Sequence, residues 1–155
     1  MLQGQRDLVT VGKLLLSELV PLVNAHQGLI YQVDTEGAAH LKMLASYGNA
    51  PNGYAQRLEV GEGLLGQCVV DKKRILVTTL PPDTVAVGAS MFQAVPRSLV
   101  VFPVVFESEI KAVLGLASLH EFAPVHLTFL EQLTNGIGIL LNSIEATMDT
   151  EGLLK

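Results

Sequence analysis

Apolar residues at Leu8, Val11, Leu15, Leu19 and Leu22 recur at steps of three and four, the spacing of one helical face. Pro21 has no amide hydrogen and crowds the preceding turn, so it kinks or ends that helix. Gly28–Val33 and Ala39–Tyr47 then read as the strands of a hairpin, joined through Asp34-Thr35-Glu36-Gly37, a stretch with turn chemistry. A loop holding Pro51, Asn52 and Gly53 leads to a short strand, Gln56–Val60. Gly61-Glu62-Gly63 opens a helix to about Asp71, with Lys72 and Lys73 at the negative end of its dipole. Ile75–Leu80 returns as a strand.

The stretch from Pro81 to Pro96 carries three prolines and Gly88, and is predicted irregular with a short helix around Ala89–Ala94. Irregular segments of this length in compact domains commonly serve as lids over binding sites. Leu99–Phe106 and Ile110–Leu119 form a second hairpin whose nearly continuous apolar runs suit central strands covered on both faces. Phe122, Pro124 and Leu127 mark a helix start, with proline at the first helical position and Phe122 stapled against Leu127. Leu127, Leu130, Leu133, Ile137, Leu140, Ile144 and Met148 carry that helix onward. Hairpin strands with helices at both chain ends predict an α+β fold, an antiparallel sheet covered on two sides.

Composition narrows the function classes. The 155 residues suit one domain, which needs neither disulfide nor metal to fold. Hydrophobic residues make up 49% and charged residues 16%, an apolar balance that suits burial on several faces or against a partner. A net charge of −5 argues against a nucleic-acid surface, and Lys72, Lys73 and Arg74 are the only basic run. One cysteine, Cys68, excludes an internal disulfide and clustered thiolate metal sites, and suits a reducing cytoplasmic setting. No secretory signal is visible near the first residues. Glu107, Glu109 and Lys111 interrupt the apolar stretch from Leu99 to Leu119, so direct membrane insertion is not expected.

Several motifs point to a family. The string Leu58-Glu59-Val60-Gly61-Glu62-Gly63-Leu64-Leu65-Gly66-Gln67 resembles the Gly-x-Gly-x-x-Gly segment common in GAF domains. Ser98 through Pro103 with Val113-Leu114-Gly115-Leu116 resemble that family's paired central strands, and Phe122-Ala123-Pro124 resembles its usual entry into a closing helix. The resemblance runs from about Leu14 to Met148 and is strongest to GAF domains of bacterial hybrid sensor histidine kinases. It implies a PAS-like sheet of five or six antiparallel strands. The terminal helices would lie on one face, with short helices and a lid over a ligand pocket on the other. It further implies a single domain over residues 1–155, a piece of a larger cytoplasmic or membrane-attached signalling protein with kinase or coiled-coil domains. Ala123 stands where the family often has serine, and the cyclic-nucleotide signature is not recognisable.

The glycine motif follows a strand and opens a helix, but a dinucleotide site needs a parallel βαβ unit and an acidic residue about 20 positions on; here the glycines serve a tight turn and close packing. Some GAF relatives attach a bilin to a cysteine often followed by histidine, whereas Val69 follows Cys68. Others reduce free methionine sulfoxide through a relay of several cysteines, which one thiol cannot complete. Cys68 therefore reads as an inert buried thiol. His120, Glu121 and His126 lack the His-Glu-x-x-His spacing of a zinc site, because Pro124 occupies the second histidine position. No nucleophile and base pair up by spacing, so no catalytic residues, metal or required cofactor are expected.

The expected pocket is lined by Leu65, Cys68 and Val69 from the short helix, Ser90, Met91 and Phe92 from the lid, Arg97, and either Val101 or Phe102 from the strand. Arg97 either pairs with a ligand carboxylate or phosphate or is a solvated loop arginine. Gly136 and Gly138, costly inside a helix, mark close packing on the protein's own sheet or on a second copy. In the latter case Leu8, Val11, Leu15 and Leu19 would meet Ile137, Leu140, Leu141 and Ile144 in a homodimer. Three functions stay open: a sensor domain that binds an unspecified small molecule, a ligand-free dimerisation spacer, and a relative of the free methionine sulfoxide reductases, against which the single cysteine counts.

Overall fold

The element order begins with α1 (Gln3–Leu22), β1 (Gln27–Asp34), β2 (His40–Tyr47), β3 (Arg57–Glu59) and α2 (Gly63–Asp71). It continues with β4 (Ile75–Thr78), β5 (Ser98–Phe106), β6 (Glu109–Ser118) and α3 (Pro124–Leu153). The computed structural model describes residues 3–35, 38–48, 56–78 and 98–153, with side chains between residues 6 and 147. The expected short helix around residues 89–94 lies outside this description. The six strands form one sheet in the order β3-β2-β1-β6-β5-β4, with every described pair antiparallel. This is the α+β, GAF-like arrangement that the hairpin pattern and the resemblance imply.

Alternation along the strands divides the core in two. Ile30, Val100, Phe102, Val104, Leu114 and Leu116 point to one face, where they pack with Leu8, Leu16 and Leu19 of α1 and Leu130, Ile137 and Leu141 of α3. Leu29, Tyr31, Leu41, Val101 and Val113 point to the other face, where α2 supplies Leu65, Cys68 and Val69. Each fully buried leucine contributes roughly 1.5–3 kcal/mol by leaving water. Two bulges adjust the first of these faces. One, between Ile30 and Tyr31 of β1, lets Leu44 and Ala45 of β2 both join the helix side. The other, between Val104 and Val105, leaves Lys111 outside the ladder, where its ammonium reaches Glu109 at 3.4 Å and Glu145 of α3 at 3.9 Å.

The terminal helices have defined ends. Pro21 sits in the last turn of α1, and Asn24 follows in the left-handed region at φ 59°. The Asn24 amide donates to the Pro21 carbonyl at 3.1 Å and the Ala25 amide to the Val20 carbonyl at 2.9 Å, the paired bonds of a Schellman ending. At the start of α3 the Ala123 carbonyl accepts from His126 at 2.9 Å and Leu127 at 3.0 Å, while Phe122 and Leu127 pack into the same cluster. The staple forms, but Ala123 offers no side-chain oxygen to the free amides of the first turn.

The two glycines of α3 differ. A Cβ added at Gly138 would stand 2.5 Å from the Val105 carbonyl oxygen, so glycine lets the helix press on β5. One added at Gly136 would meet nothing within 4 Å.

The tight connection between β5 and β6 places Glu107 at φ 52° and Ser108 at φ 68°, a left-handed pair that asparagine and glycine adopt at lower cost. Replacing both (E107N with S108G) is expected to stabilise the fold by about 1 kcal/mol, a rise in Tm of roughly 2–4 °C for a chain of this size. An unchanged or lower Tm in calorimetry refutes the assignment of strain to this turn.

Candidate functional site

The face opposite the terminal helices carries the candidate site. Its floor is set by strand alternation in three neighbouring strands, with Leu29 and Tyr31 on β1, Val113 on β6 and Val101 on β5, and Leu41 of β2 beside them. One wall is α2, held against the sheet through its glycine motif. Gly61 and Gly63 adopt φ of 91° and 65°. The Gly61 amide donates to the Gly66 carbonyl at 3.0 Å, and the Gly66 amide to the Glu62 carbonyl at 3.0 Å. A Cβ at Gly66 would fall 2.7 Å from the Glu59 carbonyl oxygen, so this position tolerates no side chain. The motif therefore builds the turn and the close approach, as expected from its sequence context.

Leu65, Cys68 and Val69 turn their buried face onto this floor together with Val101, so four of the residues expected at the pocket meet in one packed cluster. Phe102 is a correction. It points to the opposite face and lies buried among the residues that pack on α1 and α3, because neighbouring strand residues alternate sides. Ser90, Met91, Phe92 and Arg97 lie outside the described residues. Tyr31 was missed at the sequence level. It is 1% exposed on the floor, and the alternation of Leu29, Tyr31 and Val33 was the signal that places it there.

The expected dimer residues also divide. Leu8, Leu19, Ile137 and Leu141 are buried in the protomer's own core, so they cannot form a contact with a second copy. Val11, Leu15 and Ile144 are partly exposed, and Leu140 is 43% exposed. Large apolar side chains beyond that set are open: Leu14 and Leu22 on α1, and Val125, Phe129 and Ile139 on α3.

The turns at the roots of α1 and α3 meet. The His26 amide donates to the Ala117 carbonyl at 2.8 Å, the Ser118 hydroxyl to the Asn24 carbonyl at 2.8 Å, and the His120 amide to the Ser118 oxygen at 3.0 Å. The Leu119 amide donates to His26 Nδ1 at 3.2 Å, and the rings of His26 and His120 lie 5.6 Å apart beside a cavity of about 420 Å³. Histidines that are distant in sequence are thus neighbours. No group of three or more His, Cys, Asp or Glu among the described residues is arranged to hold a metal ion. No helix among them is long and apolar enough to cross a membrane.

Comparison with known proteins agrees with this geometry. The family model described as GAF domain matches residues 5–142. A sequence comparison with curated proteins finds no match. Among solved structures, the GAF domain of a two-component sensor histidine kinase from Bacillus halodurans is similar at 17% identity and a TM-score of 0.69, covering 92% of this chain and 96% of that one. The GAF-B domain of DevS from Mycobacterium smegmatis is similar at 17% identity and a TM-score of 0.70, covering 93% and 99%. A type II free methionine-R-sulfoxide reductase from Thermoplasma acidophilum is similar at 14% identity and a TM-score of 0.73, covering 92% and 96%. At these identities the likeness concerns the fold.

The chain's one thiol is poorly suited to redox chemistry. Burial and, secondarily, the Asp71 carboxylate push Cys68 up from 9.0 to about 12, and its Sγ donates to the Lys73 carbonyl at 3.4 Å. The thiolate fraction at neutral pH is then roughly a thousandfold below that of an unperturbed thiol. Alkylation of Cys68 by iodoacetamide is expected to track global unfolding, and rapid labelling of the folded chain would contradict this. The folded pKa lies above the unfolded one, so the thiol's contribution to stability is intact below about pH 9 and is lost as pH rises from 9.0 towards 12. Cys68→Ala should flatten that part of the stability–pH curve.

Proposed function

Because the chain belongs to the GAF domain family, we propose that it is a sensory module whose apolar sheet face receives a small molecule and whose terminal helices pass the outcome to an attached histidine kinase. The observation that carries this reading is the division of one sheet into two faces. Leu29, Tyr31, Leu41, Val101 and Val113 floor one side, and the strands bearing them hold both terminal helices on the other. A predominantly apolar floor with one phenol suits a compact, largely apolar ligand with few polar groups. Similarity to the GAF domain of a two-component sensor histidine kinase supports a place in two-component signalling.

The coupling route follows from the helix roots. A ligand shifts a conformational equilibrium only through unequal affinity for its two states. Here β1 and β6 carry floor residues and also the bonds that join Asn24, His26, Ala117 and Ser118. A displacement of these central strands therefore reaches both terminal helices through two short, mutually hydrogen-bonded turns, residues 23–26 and 119–123.

The helices also suit self-association, and a specific observation supports it. Phe129, Leu133, Gly136 and Leu140 recur at steps of four, three and four along α3, the spacing of a helix–helix seam. Phe129 and Leu140 are exposed, and Gly136 has no packing reason within the protomer. A ligand-free dimerisation spacer would share this seam and lack the binding function.

A thermal-shift screen of nucleotides, amino acids and small carboxylates, with native mass spectrometry of the purified chain, separates the two. A sensor is expected to gain about 2.7 kcal/mol at a ligand concentration of 100 Kd, and the gain should shrink in Val101→Thr, which keeps the shape of the floor and adds one hydroxyl. No stabilising compound and a bare-chain mass would leave the spacer.

Gly136→Ala tests the seam by its sign. If α3 meets only solvent there, alanine raises stability by up to about 1 kcal/mol. A dimer crossing at Gly136 is expected instead to weaken at least tenfold by analytical ultracentrifugation, with Leu140→Glu as the parallel disruption. A chain that stays monomeric throughout would remove the dimer from the proposal.

A further inference from the structure

A concentration of positive charge lies away from the apolar floor. Lys72, Lys73 and Arg74 follow one another in the turn between α2 and β4, three of the ten Lys and Arg residues in a chain of net charge −5. They form one wall of a groove of about 770 Å³, a volume typical of small-molecule sites. The base is the edge of β5 at Phe102, Pro103 and Val105, beyond the point where β4 begins opposite Val101. The facing wall is the first half of α3.

That wall is polar. Thr128, Gln132 and Asn135 are spaced by four and three residues, so they share one helical face and bring a hydroxyl and two amides to the groove. Glu131 is the carboxylate that lines it, 3.9 Å from Arg74. Asp71 is engaged elsewhere, accepting from Gln67 Nε2 at 3.0 Å. Among the described residues Lys72 and Lys73 have no ion-pair partner. Among the described residues that line the groove, three cations stand against one carboxylate, two positive charges in excess.

The backbone adds a separate observation. Lys72 caps α2 in the left-handed region, at φ 54° and ψ 34°, where its amide donates to the Cys68 carbonyl at 2.8 Å. Glycine is the unstrained residue for such a cap. A lysine here places a cation at the groove at some cost to the fold, a pattern common at functional positions.

We infer that this groove binds a phosphorylated small molecule, with Lys72 and Lys73 neutralising its charge and Thr128, Gln132 and Asn135 donating to its oxygens. The site is separate from the apolar floor, and its occupancy would bridge the α2–β4 turn to the helix that leaves the sheet. Rigid pairing of those two elements would restrain α3 independently of anything bound on the opposite face.

Titration of the ¹⁵N-labelled full chain with inorganic pyrophosphate tests this by NMR. Saturable shifts are expected at Lys72–Arg74 and at the side-chain amides of Gln132 and Asn135. Lys73→Ala should weaken binding about tenfold, the loss of one charge-assisted contact, with Tm unchanged. Lys72→Gly should weaken binding similarly while raising Tm, so that lost affinity is not confused with lost folding. The inference is overturned if the shifts do not saturate at millimolar pyrophosphate, if they map away from the groove, or if both variants bind like the parent chain. Resonances of Leu29, Tyr31 and Val113 should stay unmoved in the same titration, which separates this site from the one proposed on the sheet.

Discussion

The ladder between β1 and β6 carries the architecture. Gln27 to Gln32 pair with Ala117 to Ala112, joining segments about 80–90 residues apart in sequence. Each flanking hairpin is local and would be marginal alone, since an isolated two-stranded unit buries too little surface to persist in water. Joined, they offer two continuous apolar faces, and every other contact is laid on one of these. The same ladder fixes where both terminal helices begin, because α1 delivers the chain into β1 and β6 delivers it into α3. Closing so long a loop is entropically costly before the contacts it permits are made. Folding therefore hinges on the central pair more than on any helix.

Much of this was legible in the chain. The strands of both hairpins lie within a residue or so of their expected bounds, because their apolar runs are bracketed by turn residues such as Asp34 and Ser108. The glycine motif was equally readable, since its spacing after a strand and before a helix leaves few geometries. Side-chain direction was less so. A run such as Leu99–Phe106 is apolar on both faces, and composition alone does not say that Val101 faces α2 while Phe102 faces the terminal helices. The stripe on α3 misled in a similar way. Ile137 and Leu141 share its period with Leu140, yet the first two fill the protomer's core and the third stands in solvent. Helical spacing identifies a face but not its neighbour.

The meeting of His26, Ser118 and His120 had no sequence signal, because it arises from two turns brought together by the sheet. It is also where the central strands come nearest to the roots of both terminal helices. Under the proposed sensory role no long relay is needed, since β1 and β6 reach the terminal helices through the short turns 23–26 and 119–123. Cys68, buried in the α2 wall and hydrogen-bonded to the Lys73 carbonyl, contributes packing there and not reactivity.

The sheet's margins limit how copies of this chain can come together. β3 is three residues long, and its Arg57 and Glu59 are exposed and paired with each other at 3.1 Å. At the other margin β5 outruns β4, and Pro103 stands in the uncovered stretch without an amide hydrogen to offer an incoming strand. The short, charged β3 and the proline-bearing stretch of β5 are both poor templates for strand addition. In the dimer proposed above, contact through the helical layer would tie association to the position of α1 and α3.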